Sequence, residues 1–254
     1  MNKLCYIKLF QLYHSYHLVK ILSQKYNIDE SHNHVHSKEV LFFGMKIMEN
    51  HDLSTQQALM CSQCMILHDM IDKKYDTNLY VSVENHLRRY FSKEDIKKMF
   101  FIMENMSYSK TVQNNNNTIK LIYPSFKNDD NLKKMFHIVR EADLLSSYNI
   151  ARMIYYRKNR NPNMTWNTIC KETKDLYNNR MKKLISNGCF YHKSSEYLAY
   201  PLYQISLYKI KILDNLDEND NLDILKIIDY LRFDELIQDF QCYLHRYIKN
   251  KKYQ

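Results

Sequence analysis

Two glycines and three prolines in 254 residues leave this chain few ways to turn tightly. Glycine supplies the positive-φ turns that many-stranded barrels and sandwiches need at every hairpin, and the close backbone approach of dinucleotide and phosphate loops. A sequence so poor in it is expected to be helical, and if it handles phosphate it must do so without a glycine cradle. Hydrophobic residues make up 45% of the chain, enough for a buried core and too many for wholesale disorder.

Apolar residues recur at helical spacing along most of the chain. Leu4, Ile7, Leu12, Leu18 and Leu22 mark a first amphipathic helix, and residues 37–48 a second. Ser54, with Gln57 at the capping-box position, opens a third that runs to about His68. Ser92 caps another to about Met106, with Glu94 and Asp95 well placed in its first turn. Longer helices are expected over 131–157, 165–187, 195–213 and 222–250. Between them, 111–131 reads as a long polar loop with a short extended piece at 119–123; 159–163 is a turn, and 214–221 sets off a C-terminal segment.

The net charge is +9, from 37 basic and 28 acidic residues. The lysines lie in scattered pairs (Lys97-Lys98, Lys133-Lys134, Lys182-Lys183) and a short tail at Lys249, Lys251 and Lys252, with no basic stripe. That pattern argues against a nucleic-acid partner and suits attraction of a small anionic substrate. No uncharged stretch reaches 18 residues, so no membrane span is expected. Six dispersed cysteines and no signal peptide point to reduced thiols in an intracellular, cytoplasmic protein.

The histidines carry the chemistry. His32, His34 and His36 precede the second helix, His68-Asp69 with Asp72 ends the third, and Asp143 lies far downstream in Arg140-Glu141-Ala142-Asp143-Leu144-Leu145. Imidazole and carboxylate together make a mixed donor set for one divalent ion: Mn, Fe, Co, Ni, Mg or Zn. Adjacent helical residues diverge by about 100°, so His68 and Asp69 can share an ion only at a helix end. His36 and Asp143 stand among inward-pointing apolar residues, where an unpaired charge is costly and a metal would relieve it. Cys61-x-x-Cys64 with His68 superficially suggests zinc, but its apolar neighbours and the lack of a second cysteine pair favour buried thiols. Tyr148, Tyr155 and Tyr156 are read as packing residues rather than a stacking platform.

The ordered set His36, His68-Asp69, Asp143 resembles the HD superfamily of metal-dependent phosphohydrolases, in particular its small-phosphohydrolase branch. The likeness runs from about Asp29 to Tyr156. Ser31-His32-Asn33-His34-Val35-His36 is similar to the first motif, with Asn33 for an aspartate and His34 for an aromatic. Leu67-His68-Asp69-Met70-Ile71-Asp72 is similar to the second, Met106-Ser107-Tyr108-Ser109-Lys110 to a third, and Glu141-Ala142-Asp143-Leu144-Leu145 to the last, with Leu144 for an arginine.

The resemblance implies an all-α, HD-domain helical bundle over 1–160, with a C-terminal helical extension over 161–254 packed on it. It implies a single metal held by His36, His68, Asp69 and Asp143, with His32 near the site, Asp72 as proton acceptor, and Lys73 and Lys110 meeting substrate phosphate. The activity implied is hydrolysis of a phosphate ester, on a small nucleotide-like or sugar-phosphate substrate. The competing reading is an HD-fold metal- or nucleotide-binding regulatory protein with impaired catalysis, motivated by Asn33 and Leu144.

Overall fold

The structure, a computed structural model, describes residues 3–29, 31–72, 76–115 and 118–214. The helix expected over 222–250, the basic tail and Lys73 lie outside the described residues. Within them the chain is mostly helical, with one small antiparallel hairpin.

Helix α1 (Lys3–Lys25), α2 (His34–Met48) and α3 (Thr55–Leu67) come first. Ser54 starts α3 through a complete capping box: its hydroxyl accepts from the Gln57 N–H, and the Gln57 side chain accepts from the Ser54 N–H. Every residue of α3 from Leu59 to Leu67 is buried, because α1, α2, α5 and α7 all pack around it. A helix walled in on all sides has no need of an amphipathic pattern. It ends in a 3-10 turn, His68–Ile71.

There follow α4 (Thr77–Leu87), α5 (Lys93–Asn105, capped by Ser92) and the single turn α6 (Tyr108–Thr111). Helix α4 was not anticipated, although its signals are ordinary: Asp76 caps it, and Leu79, Val83 and Leu87 bury one face at i, i+4 and i+8. Part of the segment read as a polar loop is a hairpin, β1 (Val112–Asn115) and β2 (Thr118–Leu121), in register Val112 opposite Leu121. An all-α chain was expected; the chain is mostly helical, and this small hairpin is the exception among the described residues. Its base is pinned by buried Arg140, whose Nε donates to Thr111 Oγ1 at 3.0 Å while Nη1 reaches the Cys189 carbonyl at 2.8 Å.

The long helix expected over 131–157 is in fact two, α7 (Asp130–Ser146) and α8 (Ile150–Arg160). Ser146 and Ser147 hydroxyls turn back onto the Asp143 and Leu144 carbonyls at 2.7 and 2.5 Å, and Asn149 caps α8 by accepting from the Arg152 N–H. Local side-chain bonds of this kind compete with the helix ladder. The break sets the direction of α8, with consequences for the site.

Helix α9 (Trp166–Leu176), a π-helical turn (Tyr177–Met181), α10 (Lys183–Ser186) and α11 (Lys193–Asp214) complete the described chain. Helix α9 packs on α8, and α11 packs against α7 and α8. The four cysteines whose side chains are described, Cys61, Cys64, Cys170 and Cys189, are all buried and free. No helix among the described residues is long and apolar enough to cross a membrane.

Gly44 of α2 faces α3 and α7 at close quarters. A Cβ there would run into the Sδ and Cε of Met65 on α3 and meet the Ala142 Cβ of α7 at 3.4 Å. Gly44→Val should therefore destabilise the fold by about 1–3 kcal/mol through overpacking, despite the better helix propensity of valine. Denaturant unfolding of the purified variant measures this directly.

A candidate metal centre at the end of helix α3

Three elements aim four side chains at one point. His36 comes from the first turn of α2, His68 and Asp69 from the 3-10 turn after α3, and Asp143 from α7. The α2 and α3 contributions are held together by the Ser37 hydroxyl, which donates to the Ile66 carbonyl at 2.8 Å. Tightening from α-helix to 3-10 turn allows neighbours His68 and Asp69 to converge, with His68 Nε2 3.3 Å from Asp69 Oδ2. His36 Nε2 lies 3.4 Å from the same oxygen and 3.3 Å from Asp143 Oδ1. His68 Nε2 lies 3.9 Å from Asp143 Oδ1.

Donor atoms of His36, His68 and Asp69 all fall within 4.8 Å of one another, so this group could hold a metal ion. The separations approximate the edges of a coordination polyhedron with bonds of about 2.1 Å, which run from roughly 3.0 to 3.4 Å. Two details favour a ligand set over a mere salt-bridge cluster. Asp69 Oδ2 is buried and has no hydrogen-bond partner, although two imidazole nitrogens stand close by: the donors point past one another toward a common centre. And His68 Nδ1 lies 3.0 Å from the Met65 carbonyl, so it carries the proton and leaves the Nε2 lone pair facing inward.

Burial pushes the His36 imidazole down to a pKa of about 4, with the nearby Arg152 charge acting in the same direction against the raising effect of Asp143 and Asp69. His36 is thus a neutral donor at physiological pH. For Asp143, burial favours the neutral acid, but the His36 hydrogen bond and the positive fields of His68, His36 and Arg152 outweigh it and hold the carboxyl well below its usual range. The site combines the neutral His36 imidazole with the ionised Asp143 carboxylate, the protonation state that metal binding requires.

The remaining expected residues are less central. His32 sits one turn before His36, its Nδ1 2.7 Å from the Ser31 hydroxyl and its ring edge-on to Tyr156 at 5.8 Å. Asp72 closes the 3-10 turn, with its N–H on the Asp69 carbonyl at 3.4 Å and its side chain exposed. Lys110 is not brought to the cluster: it is exposed, and its ammonium donates to the Glu104 carbonyl.

Two arginines were missed. Arg152 of α8 reaches His36 with both ring nitrogens in range, Nη1 lying 2.8 Å from Nε2. Arg180, on the π-helical turn, lies over the Tyr108 ring at 3.9 Å and within the field of Asp143 and Arg152. In an unbroken helix Arg152, nine residues after Asp143, would point ~180° away from it. Only the break at 147–149 swings it round, and nothing in the spacing signals that. Arg180 depends likewise on a π turn, which shifts the helical phase of the residues beyond it.

No protein-family model matches this chain, and no curated protein matches its sequence.

Proposed function

We propose that this chain is a metal-dependent phosphohydrolase of the HD type, acting on a small phosphorylated substrate. One observation carries the reading: two buried imidazoles and the unpartnered Asp69 Oδ2 face a common centre, with Asp143 at its edge. His36, His68, Asp69 and Asp143 would hold the ion. A divalent ion in such a set supplies an acidified water and polarises a phosphoryl oxygen.

The chain's own groups supply the rest. Arg152 stands beside the donors, where its guanidinium can neutralise charge on the transferred phosphoryl group. Asp72, exposed at the end of the 3-10 turn, would pass a proton to solvent. His32 and Tyr156 form an aromatic edge one helical turn from the His36–Arg152 contact, where an organic portion of the substrate can rest.

A second reading has its own support. Arg152 bonded to His36 is a cation lodged against the donor set, and it can serve as an internal counter-ion to Asp69 and Asp143. The chain would then be a regulatory binding protein on the same fold, without catalysis.

Elemental analysis of the purified protein, then turnover assays with Mn, Fe, Co, Ni, Mg and Zn on phosphomonoesters, phosphodiesters and nucleoside triphosphates, decides between them. The hydrolase reading expects bound metal near one equivalent and turnover abolished by chelation. A protein that retains no metal and turns over none of these substrates refutes it; metabolite binding without turnover supports the second reading.

A further inference from the structure

Helix α11 is apolar on two sides, and one of them lies open. Ala199, Leu202, Ile210 and Leu213 are buried, and the helix packs on α7, α8 and α10. On the other side Tyr197, Tyr200 and Tyr208 are 75%, 61% and 60% exposed, with Ile205 between them at 37%. Positions 197, 200, 201, 204, 205 and 208 follow helical spacing, so with exposed Pro201 and Gln204 they form one stripe. The stripe carries no charge between Lys193 and Lys211, the exposed lysines at its two ends. A helix that is apolar on both sides is built to be packed on both sides, and a contiguous run of this kind marks an interaction surface. The exposed Phe10, Tyr13 and Ile21 of α1 differ, since exposed His17 and Lys20 stand among them.

The chain itself supplies an occupant. It leaves α11 at Asp214, and 40 residues follow. Seven residues separate Asp214 from the helix expected from residue 222, which is within the roughly two to eight that join antiparallel helices. Phe233, Leu236, Ile237, Phe240 and Leu244 then recur at i, i+3, i+4, i+7 and i+11. At 1.5 Å per residue, a helix over 222–250 spans about 43 Å, against about 33 Å for α11. Charge agrees with this pairing. Between 215 and 239 eight residues are acidic and two basic. In an antiparallel return Asp220 and Asp223 come beside Lys211, and Asp234, Glu235 and Asp239 come toward Lys193. A segment tethered by so short a linker is present at an effective concentration on the order of millimolar, which favours it over a second copy of the chain.

We propose that residues 222–248 fold back antiparallel along α11 and cover its tyrosine stripe. The proposal stands apart from the metal reading, and either can fail alone. Its reach extends toward the candidate site nonetheless. On the inner side of α11 the Ser206 hydroxyl lies 2.7 Å from the Tyr148 carbonyl, in the break between α7 and α8 that directs Arg152. The docked segment would brace α11 from outside while α11 holds that break from within.

Thiol labelling of the full chain tests the docking. Cys5 and Cys242 are changed to Ser, which leaves the four buried cysteines, and Tyr197→Cys or Tyr208→Cys places one reactive thiol on the stripe. Each thiol should react at least tenfold more slowly than in a chain that also carries Phe233→Asp and Ile237→Asp, circular dichroism confirming both folds. The protection should not change with protein concentration. Carbodiimide cross-linking of the unsubstituted protein should join Lys193 to Asp234, Glu235 or Asp239. In an equal mixture of ordinary and heavy-nitrogen protein, each joined pair of peptides should come from one chain. A thiol that reacts quickly in both backgrounds shows an open stripe and overturns the proposal. One that reacts slowly in both gives the stripe to another occupant and overturns it too. Cross-links between chains, or protection that grows with concentration, assign the stripe to a second copy, again against the proposal. If the double variant does not fold, the cross-link decides: no link from Lys193 to residues 234–239 within one chain overturns the docking.

Discussion

Asp69→Ala should strip the metal and cut turnover by about a thousandfold or more, without harming the fold. The expected loss corresponds to the ~4 kcal/mol or more of transition-state stabilisation that a metal-activated water and a polarised phosphoryl oxygen provide. The unharmed fold stems from the same oxygen that makes the site. Asp69 Oδ2 is buried and lacks a hydrogen bond, so in metal-free protein it is a desolvated charge with imperfect compensation, and its removal relieves a cost. In chelator, D69A should therefore melt at or above the wild-type temperature. With metal added, only wild type should gain, by about 2.7 kcal/mol when the ion is at a hundred times its dissociation constant. Thermal melts of both proteins with and without metal read out this crossover. If D69A binds metal as wild type does, or keeps its activity, the donor assignment is wrong.

The features legible in the sequence and the features hidden from it divide along a physical line. Caps are local: Ser54 with Gln57 and Ser92 with Asp95 lie within three residues, and both start the helices expected of them. The order His36, His68-Asp69, Asp143 was visible because each donor is named by its own type and its neighbours, and the structure brings these residues together at a helix end, where adjacent donors can converge. Arg152 and Arg180 were hidden because their direction depends on helix phase. A three-residue break and one π turn change that phase, and periodicity registers neither; at the break, side chains compete with the backbone ladder. The hairpin was half seen: Ile119 and Leu121 read as extended, but Val112–Asn115 is a polar partner strand whose pairing depends on Arg140, some 20 to 30 residues away in the chain.

Acid should unfold this protein well above the pH at which carboxylates alone would require it. Burial holds four histidines neutral in the folded state: His36, His86 and His192 titrate at about 4 and His137 at about 3. Unfolded, each takes its proton near 6.5. A histidine whose folded pKa is depressed contributes stability that is present above the unfolded value and is lost as pH falls toward the folded one. Glu141 works in the opposite sense. Burial, opposed by the nearby Ser195 hydroxyl and by the bonds from the Tyr191 and His192 N–H groups, raises it to about 7, so its contribution is complete below 4.5 and is lost as pH rises through 7. Near pH 5 the unfolded chain therefore binds up to four protons that the folded chain lacks, and the folded chain one that the unfolded chain lacks. Each net proton is worth about 1.4 kcal/mol per pH unit; three give an upper figure of ~4, lowered by solvent screening at the partly exposed His192. Against a typical stability of about 5–15 kcal/mol, that slope is enough to melt the fold between about pH 5 and 4. His137 sharpens the effect, since neither ring nitrogen has a hydrogen-bond partner among the described residues, and a proton there would sit in the core with the Glu141 carboxylate no nearer than 4.0 Å from Nδ1. Melting temperatures in chelator, which removes metal release from the comparison, should peak near neutral pH and fall steeply below 6. Glu141→Gln, which cancels the opposing proton, should steepen that fall. A melting temperature unchanged from pH 7 to 4.5 would mean that these histidines accept protons in place, and that the interior around them is far more solvated than their burial implies.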